Sequence, residues 1–173
     1  FRLRYNSKLE LRNFIYGFPE LNRDAIKEAS NIANPGCFAT CIQLGLLPLA
    51  AGGLLQSDVH INATTGSTGA GQSLSTTSHF SWRNNNLSVY KAFAHQHLNE
   101  IGESLAQAAQ KRLDHVALNF VPQRGDFTRG ILAAMYTESD LTLEEARDLY
   151  ESYYSSHPFT HVSSKNIDLK QVV

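Results

Sequence analysis

Apolar residues recur along this chain with two different periods, and the switching between them predicts its elements. In Pro19–Ala29, Leu21, Ala25, Ile26 and Ala29 share one face at helical spacing, behind a proline suited to a helix start. From Cys37 to Leu49 the run is almost continuously apolar. That predicts a buried helix, entered through Pro35 and Gly36, bent or broken near Pro48, and stopped at Gly52 and Gly53. Asp58–Thr64 changes to strict alternation, with Val59, Ile61 and Ala63 on one face, and reads as a strand. Leu87–Ala92, Val116–Val121 and Arg129–Thr137 read as further strands, the last apolar throughout Ile131–Met135. His97–Arg112 carries Leu98, Ile101, Leu105, Ala108 and Ala109 as a helical stripe. Thr142 and Glu145 stand at capping-box spacing, ahead of a helix running to about Ser156 and ended by Pro158. Asn31–Ala33 reads as a strand end, Phe159–Val162 as a last strand, and residues 34–36 and 84–86 as turns. Helices and strands alternate, so the expected class is α+β, a mixed sheet with helices packed on it.

Composition narrows the functions open to such a fold. A length of 173 residues fits one domain, and 42% hydrophobic against 18% charged residues excludes a disordered chain. Lys plus Arg number 15 and Asp plus Glu 16, which excludes a general electrostatic grip on nucleic acid. No apolar run approaches the roughly 18 residues of a membrane helix. Two cysteines, Cys37 and Cys41, do not make a disulfide scaffold. The opening Phe1-Arg2-Leu3-Arg4 has neither an initiator Met nor a signal-peptide pattern, so the expectation is a cytoplasmic piece of a longer protein.

The most informative stretch is Asn34-Pro35-Gly36-Cys37. Pro and Gly force a tight turn, and Cys37 falls where a helix begins. Unpaired backbone N–H groups and the positive end of the helix dipole converge there, which stabilises a thiolate and offers donors to an oxyanion. Cys41, one turn later inside the apolar run, reads as a buried, inert thiol. His95 and His97 are the acid–base candidates, because histidine titrates closest to neutral pH. Glu100, three residues beyond His97, reads as an orienting partner for histidine or as a helix-start carboxylate. No standard spacing supplies further ligands, so no metal is expected. The small residues of Gly66–Gly71 let backbone approach an anion or a flat ring closely. Arg129 begins a strand and suits a bidentate carboxylate clamp, with Arg124 a weaker competitor. Tyr150, Tyr153 and Tyr154 read as packing or interface aromatics.

At this point the chain resembles the N-acetyl-gamma-glutamyl-phosphate reductase family. Ile32–Thr40 is similar to that family's active-site signature. Tyr16–Leu21, Gly66–Gly71, His95–Glu100 and Thr128–Ile131 resemble its other segments in order and spacing. Cys41 and Asn99 depart from the usual pattern without removing a chemical group. The resemblance implies a glyceraldehyde-3-phosphate dehydrogenase-like C-terminal domain spanning residues 1–173, catalytic and dimerising. The N-terminal dinucleotide-binding domain and the C-terminal return segment would then be missing. Phe1–Arg4 would mark the handover between the two domains. It further implies Cys37 as nucleophile and His95 as acid–base group. Asn34, His97, Glu100 and Arg129 would contact substrate, and Gly66, Ser67, Gly69, Ala70 and Gly71 would wall the nicotinamide or phosphate. NADP is the implied cofactor, held mainly by the missing domain, so this segment alone is not expected to turn over. A small-molecule substrate and a homodimer or homotetramer complete the expectation. Two other classes stay open: a cysteine hydrolase or acyltransferase using Cys37 and His95 without nicotinamide, and a non-catalytic association module.

Overall fold

A computed structural model describes residues 13–173, so Phe1–Arg4 lies outside the described residues. The chain divides into two compact units, one ending at Gly36 and the other spanning Cys37–Val173. In the first, β1 (Ile15–Tyr16) and β2 (Ile32–Ala33) pair in parallel, with α1 (Pro19–Lys27) between them. Gly17 has to be bare, because a Cβ there would sit 2.4 Å from the Ile32 side chain.

The second unit contains α2 (Cys37–Ala51), β3 (Val59–Thr65), α3 (Phe80–Arg83), β4 (Ser88–Val89), α4 (His97–Ala109), β5 (Leu118–Arg124), β6 (Ile131–Tyr136), α5 (Leu143–Tyr154) and α6 (Leu169–Val172). Its sheet has the order β4-β5-β3-β6. β3 runs parallel to β5 and antiparallel to β6, and β4 is antiparallel to β5, which is the mixed sheet expected. Val59, Ile61 and Ala63 of β3 and Phe120 of β5 are buried on one face. α2 packs along α4 over this core, contributing Phe38, Ile42, Leu46 and Leu47, while α4 contributes Ile101 and Leu105. Among the described residues, the opposite face of β3 and β6 is left exposed. His60, Asn62, Leu132, Ala134 and Tyr136 are exposed along β3 and β6, and the His60 ring stacks on Tyr136 at 5.3 Å.

Several expectations are corrected. α2 is not broken at Pro48 but runs on to Ala51, directly before the expected stop at Gly52 and Gly53. Proline lacks the N–H that would reach the Leu44 carbonyl four residues back, and the Tyr154 hydroxyl of α5 donates to that oxygen at 2.6 Å instead. The Tyr150 hydroxyl donates to the neighbouring Gly45 carbonyl. β4 covers only Ser88–Val89, because Lys91 and Phe93 adopt φ of 46° and 59° and interrupt the regular ladder, although the Tyr90 and Phe93 N–H groups still bond to the Pro122 and Phe120 carbonyls of β5. β5 begins at Leu118 and continues to Arg124, beyond the expected end at Val121. α4 closes at Ala109 on a left-handed Gln110. Phe159–Val162 forms no strand, and Phe159 is exposed. The capping box of α5 forms as its sequence predicts: the Thr142 hydroxyl accepts from the Glu145 N–H at 3.3 Å, and the Glu145 carboxylate accepts from the Thr142 N–H at 2.8 Å. Among the described residues, no helix is long and apolar enough to cross a membrane.

Candidate active site

α2 opens at Cys37, directly after Asn34-Pro35-Gly36, and the side chain of Cys37 is exposed. No acidic residue stands in the first turn to offset the positive end of the dipole. The next residue, Phe38, turns inward and is fully buried. Its ring meets His95 at 5.5 Å, Phe120 at 5.1 Å and Tyr90 at 6.5 Å between centroids. His95 is thereby clasped by three aromatic rings, 5.4 Å from Phe120 and 5.9 Å from Tyr90, and is only 6% exposed.

That enclosure sets the protonation of His95. Burial pushes its pKa down to about 4, with the positive charges of His97 and Lys91 adding to the effect. Its Nδ1 accepts the backbone N–H of His97 at 3.2 Å. The neutral ring therefore carries its proton on Nε2. The His97 ring lies 4.5 Å from His95, and its Nε2 is 3.7 Å from a Glu100 carboxylate oxygen. Burial lowers the pKa of His97 as well, and Glu100 opposes that shift. Cys41 is half-buried, and that burial, assisted by Cys37, pushes its thiol up to about 11.

The glycine segment follows β3. The N–H groups of Gly66, Ser67 and Thr68 donate to the carbonyls of Gly130, Phe127 and Thr128 at 2.9, 2.8 and 3.2 Å. Gly69 and Gly71 donate to Gly66 and Thr68 at 3.4 and 3.1 Å, around a single 3-10 turn at Ser67–Ala70. A Cβ on Gly66 would lie 2.6 Å from the Thr128 carbonyl oxygen and 2.7 Å from the Arg129 nitrogen. Gly66 is thus bare so that two backbone segments can touch. These five N–H groups are committed within the protein, so the turn presents a smooth wall of small residues rather than a set of free donors.

The structure links His95, His97 and Glu100 directly, and Cys37 to them through its neighbour Phe38. Arg129 is exposed in the segment bonded to the glycine turn. Asn34 belongs to the first unit, where its side-chain amide donates to the Pro35 carbonyl at 3.4 Å. Sequence reasoning missed Tyr90 and Arg83. Tyr90 stands five residues before His95, and only the pairing of its N–H with the Pro122 carbonyl at 3.1 Å brings it under the site. Burial raises the Tyr90 pKa, while Arg124 beside it works in the opposite direction. Among the described residues, no group of three His, Cys, Asp or Glu side chains converges as a metal centre requires.

Residues 37–173 match the family described as semialdehyde dehydrogenase, dimerisation domain. The N-acetyl-gamma-glutamyl-phosphate reductase of Flavobacterium johnsoniae is 60% identical over 173 residues, which covers 100% of this chain and 53% of that protein. The reductase of the same name from Parabacteroides distasonis is 58% identical over 161 residues, covering 93% and 49%. The chain therefore spans about half the length of the curated relatives it matches. Among solved structures, aspartate semialdehyde dehydrogenase II from Vibrio cholerae superposes with a TM-score of 0.58 at 15% identity, over 80% of this chain and 49% of that one. That likeness shows the fold, the glyceraldehyde-3-phosphate dehydrogenase-like C-terminal fold expected above. By the match across Cys37–Val173, the chain belongs to the semialdehyde dehydrogenase dimerisation-domain family.

Proposed function

We propose that this chain is the thioester-forming part of a cytoplasmic, NADP-dependent N-acetyl-gamma-glutamyl-phosphate reductase of arginine biosynthesis. The observation that carries the reading is the exposed Cys37 at the start of α2, followed by Phe38, whose ring meets a neutral His95 also held by Tyr90 and Phe120. The Cys37 thiolate attacks the acyl-phosphate carbonyl, and the C–O bond to phosphate breaks, leaving a thioester on Sγ. Backbone N–H groups of the first turn of α2 hold the oxyanion as it forms. His95 donates from Nε2 to the same developing charge and needs no titration to do so.

The smooth Ser67–Ala70 turn fits a flat ring laid against it. Gly66, Ser67, Gly69, Ala70 and Gly71 would form that wall, with the rest of the nucleotide held outside this chain. A nicotinamide held against this wall would supply the hydride that takes a thioester to an aldehyde. Cys37 Sγ would then be the leaving group: the C–S bond breaks as the carbonyl re-forms, which releases the semialdehyde and restores the thiolate. Arg129, His97, Glu100 and Asn34 are assigned to substrate contacts. The bare sheet face of β3 and β6 is assigned to association of two copies, as the basis of a homodimer or homotetramer.

Replacing Cys37 by Ala in the complete enzyme tests the assignment. The expected result is loss of phosphate-dependent NADP reduction by the semialdehyde, with folding and association retained. Near-normal turnover in that variant would sink it.

A further inference from the structure

We infer that Arg124 is a substrate-binding residue that holds an anionic group, phosphate or carboxylate, beside Cys37; the identity of the substrate in this inference rests on the reductase reading. Arg124 is the last residue of β5, level with Thr65 of β3 and Ser88 of β4. Its guanidinium carbon lies 4.8 Å from the centroid of the Tyr90 ring. That ring is 5.9 Å from His95 and 6.5 Å from Phe38, the residue that follows Cys37. The guanidinium therefore sits on the rim of the cluster that holds the nucleophile and the histidine, its plane steadied by the ring beneath it.

Beyond its hydrogen bond with the Tyr90 side chain, two further facts leave its charge without a paired anion. The Nε of Arg124 is buried without a hydrogen-bond partner, and among the described residues no carboxylate forms an ion pair with this side chain. The adjacent corner is already cationic. Arg83, 5% exposed, donates to the carbonyls of Thr77, Asn86 and Arg124 and to the Ser88 hydroxyl, the bond to the Arg124 carbonyl measuring 2.6 Å. Asp126 is the carboxylate facing Arg83, and it accepts the Asn85 N–H at 3.2 Å. Two guanidinium groups thus share a partly desolvated corner with one carboxylate. A cation so placed is stabilised when an anion arrives, and the planar fork of arginine matches carboxylate or phosphate oxygens two at a time. An acyl-phosphate substrate with a second acidic group carries two such anions, so a clamp by Arg129 and one by Arg124 are complementary.

The test uses Arg124→Met and Arg124→Lys in the complete enzyme, assayed in the oxidative direction with semialdehyde and inorganic phosphate varied separately. The expected result for Arg124→Met is a KM raised about tenfold to a hundredfold for one of the two, with kcat changed far less. A shift in the phosphate KM assigns the leaving phosphate, and a shift in the semialdehyde KM assigns a carboxylate. Arg124→Lys keeps the charge and is expected to show a smaller rise in the same constant, which decides the matter if the Met variant does not fold. Both KM values within twofold of the unaltered enzyme overturn the inference. A second readout needs no turnover: the rate of Cys37 alkylation by iodoacetate relative to iodoacetamide should fall at least threefold in Arg124→Met. An unchanged ratio overturns the placement of the charge beside Cys37. Failure of the unaltered Cys37 to alkylate at all would instead strike the reductase reading.

Discussion

The backbone N–H of His97 donates to Nδ1 of His95 at 3.2 Å, and this bond fixes which ring nitrogen carries the proton. With Nδ1 occupied as an acceptor, the imidazole is a donor through Nε2. Because burial holds the ring neutral down to about pH 4, that donor is present across the whole working range. In the proposed function, His95 would then polarise a carbonyl and steady an oxyanion without being a cation first.

Replacing His95 by Asn should lower kcat about a hundredfold to a thousandfold. In the unaltered enzyme, the rate should show no acid limb near pH 6.5 from this residue. Stability carries the complementary signature. The folded pKa of about 4 lies below the ordinary histidine value, 6.5, so the unfolded chain binds more protons between those values. The contribution of neutral His95 is complete above about pH 6.5 and is lost as pH falls toward 4, on the order of 3 kcal/mol in all. Urea midpoints at pH 5 and pH 8 measure it, and the gap between them should shrink in His95→Asn. A rate that falls with an apparent pKa near 6.5, abolished by that substitution, would contradict the neutral-donor role.

The two cysteines should separate cleanly in reactivity. Cys37 is exposed at the start of α2, whereas burial pushes the Cys41 thiol up to about 11. At pH 8, only about one Cys41 in a thousand is then a thiolate. Iodoacetamide followed by peptide mapping should place a single modification on Cys37. Cys41→Ser should label at the unaltered rate, and Cys37→Ser should resist labelling. Comparable modification of both residues would remove the distinction.

How far the site could be read from the chain depends on the range of the interactions behind it. Asn34-Pro35-Gly36-Cys37 and His95–Glu100 are local patterns, and each announces a turn or helix start carrying a reactive group. The rim formed by Tyr90 and Arg124 is not local. It exists because β4 folds back along β5, with the Tyr90 N–H on the Pro122 carbonyl at 3.1 Å and the Phe93 N–H on the Phe120 carbonyl at 2.8 Å. The positive φ angles at Lys91 and Phe93 that make this return lie on residue types that give no warning of them. Pro48 misled for the same reason, since the donor that repairs its helix comes from Tyr154, 110 positions after Leu44.

That repair can be measured. Tyr154→Phe removes the hydroxyl and leaves the Leu44 carbonyl without the donor that replaces the missing proline N–H, and should cost about 1–3 kcal/mol. Pro48→Ala restores a helical N–H to the same oxygen. In that background the cost of Tyr154→Phe should fall, because the two donors serve one acceptor. Urea unfolding of the four combinations gives the coupling directly. Strict additivity would show that the tyrosine acts through packing alone.

The exposed sheet face yields the last expectation. One face of β3 and β6 is sealed by α2 and α4, while the other leaves Leu132 56% and Tyr136 59% exposed, with His60 stacked on Tyr136. A sheet covered on one side only either faces water with polar residues or meets a partner. Leu132, Ala134 and Tyr136 are not the residues of a face evolved for water. A Glu at Leu132 or Tyr136 would place a charge at the centre of the proposed contact between two copies. Light scattering of the complete protein should therefore show the unaltered chain as an oligomer and either Glu variant as a smaller species. Phe159→Ser, at an exposed residue away from this sheet, should leave the mass unchanged. If the Glu variants keep the full oligomeric mass, the association surface lies elsewhere, and the bare face needs another occupant.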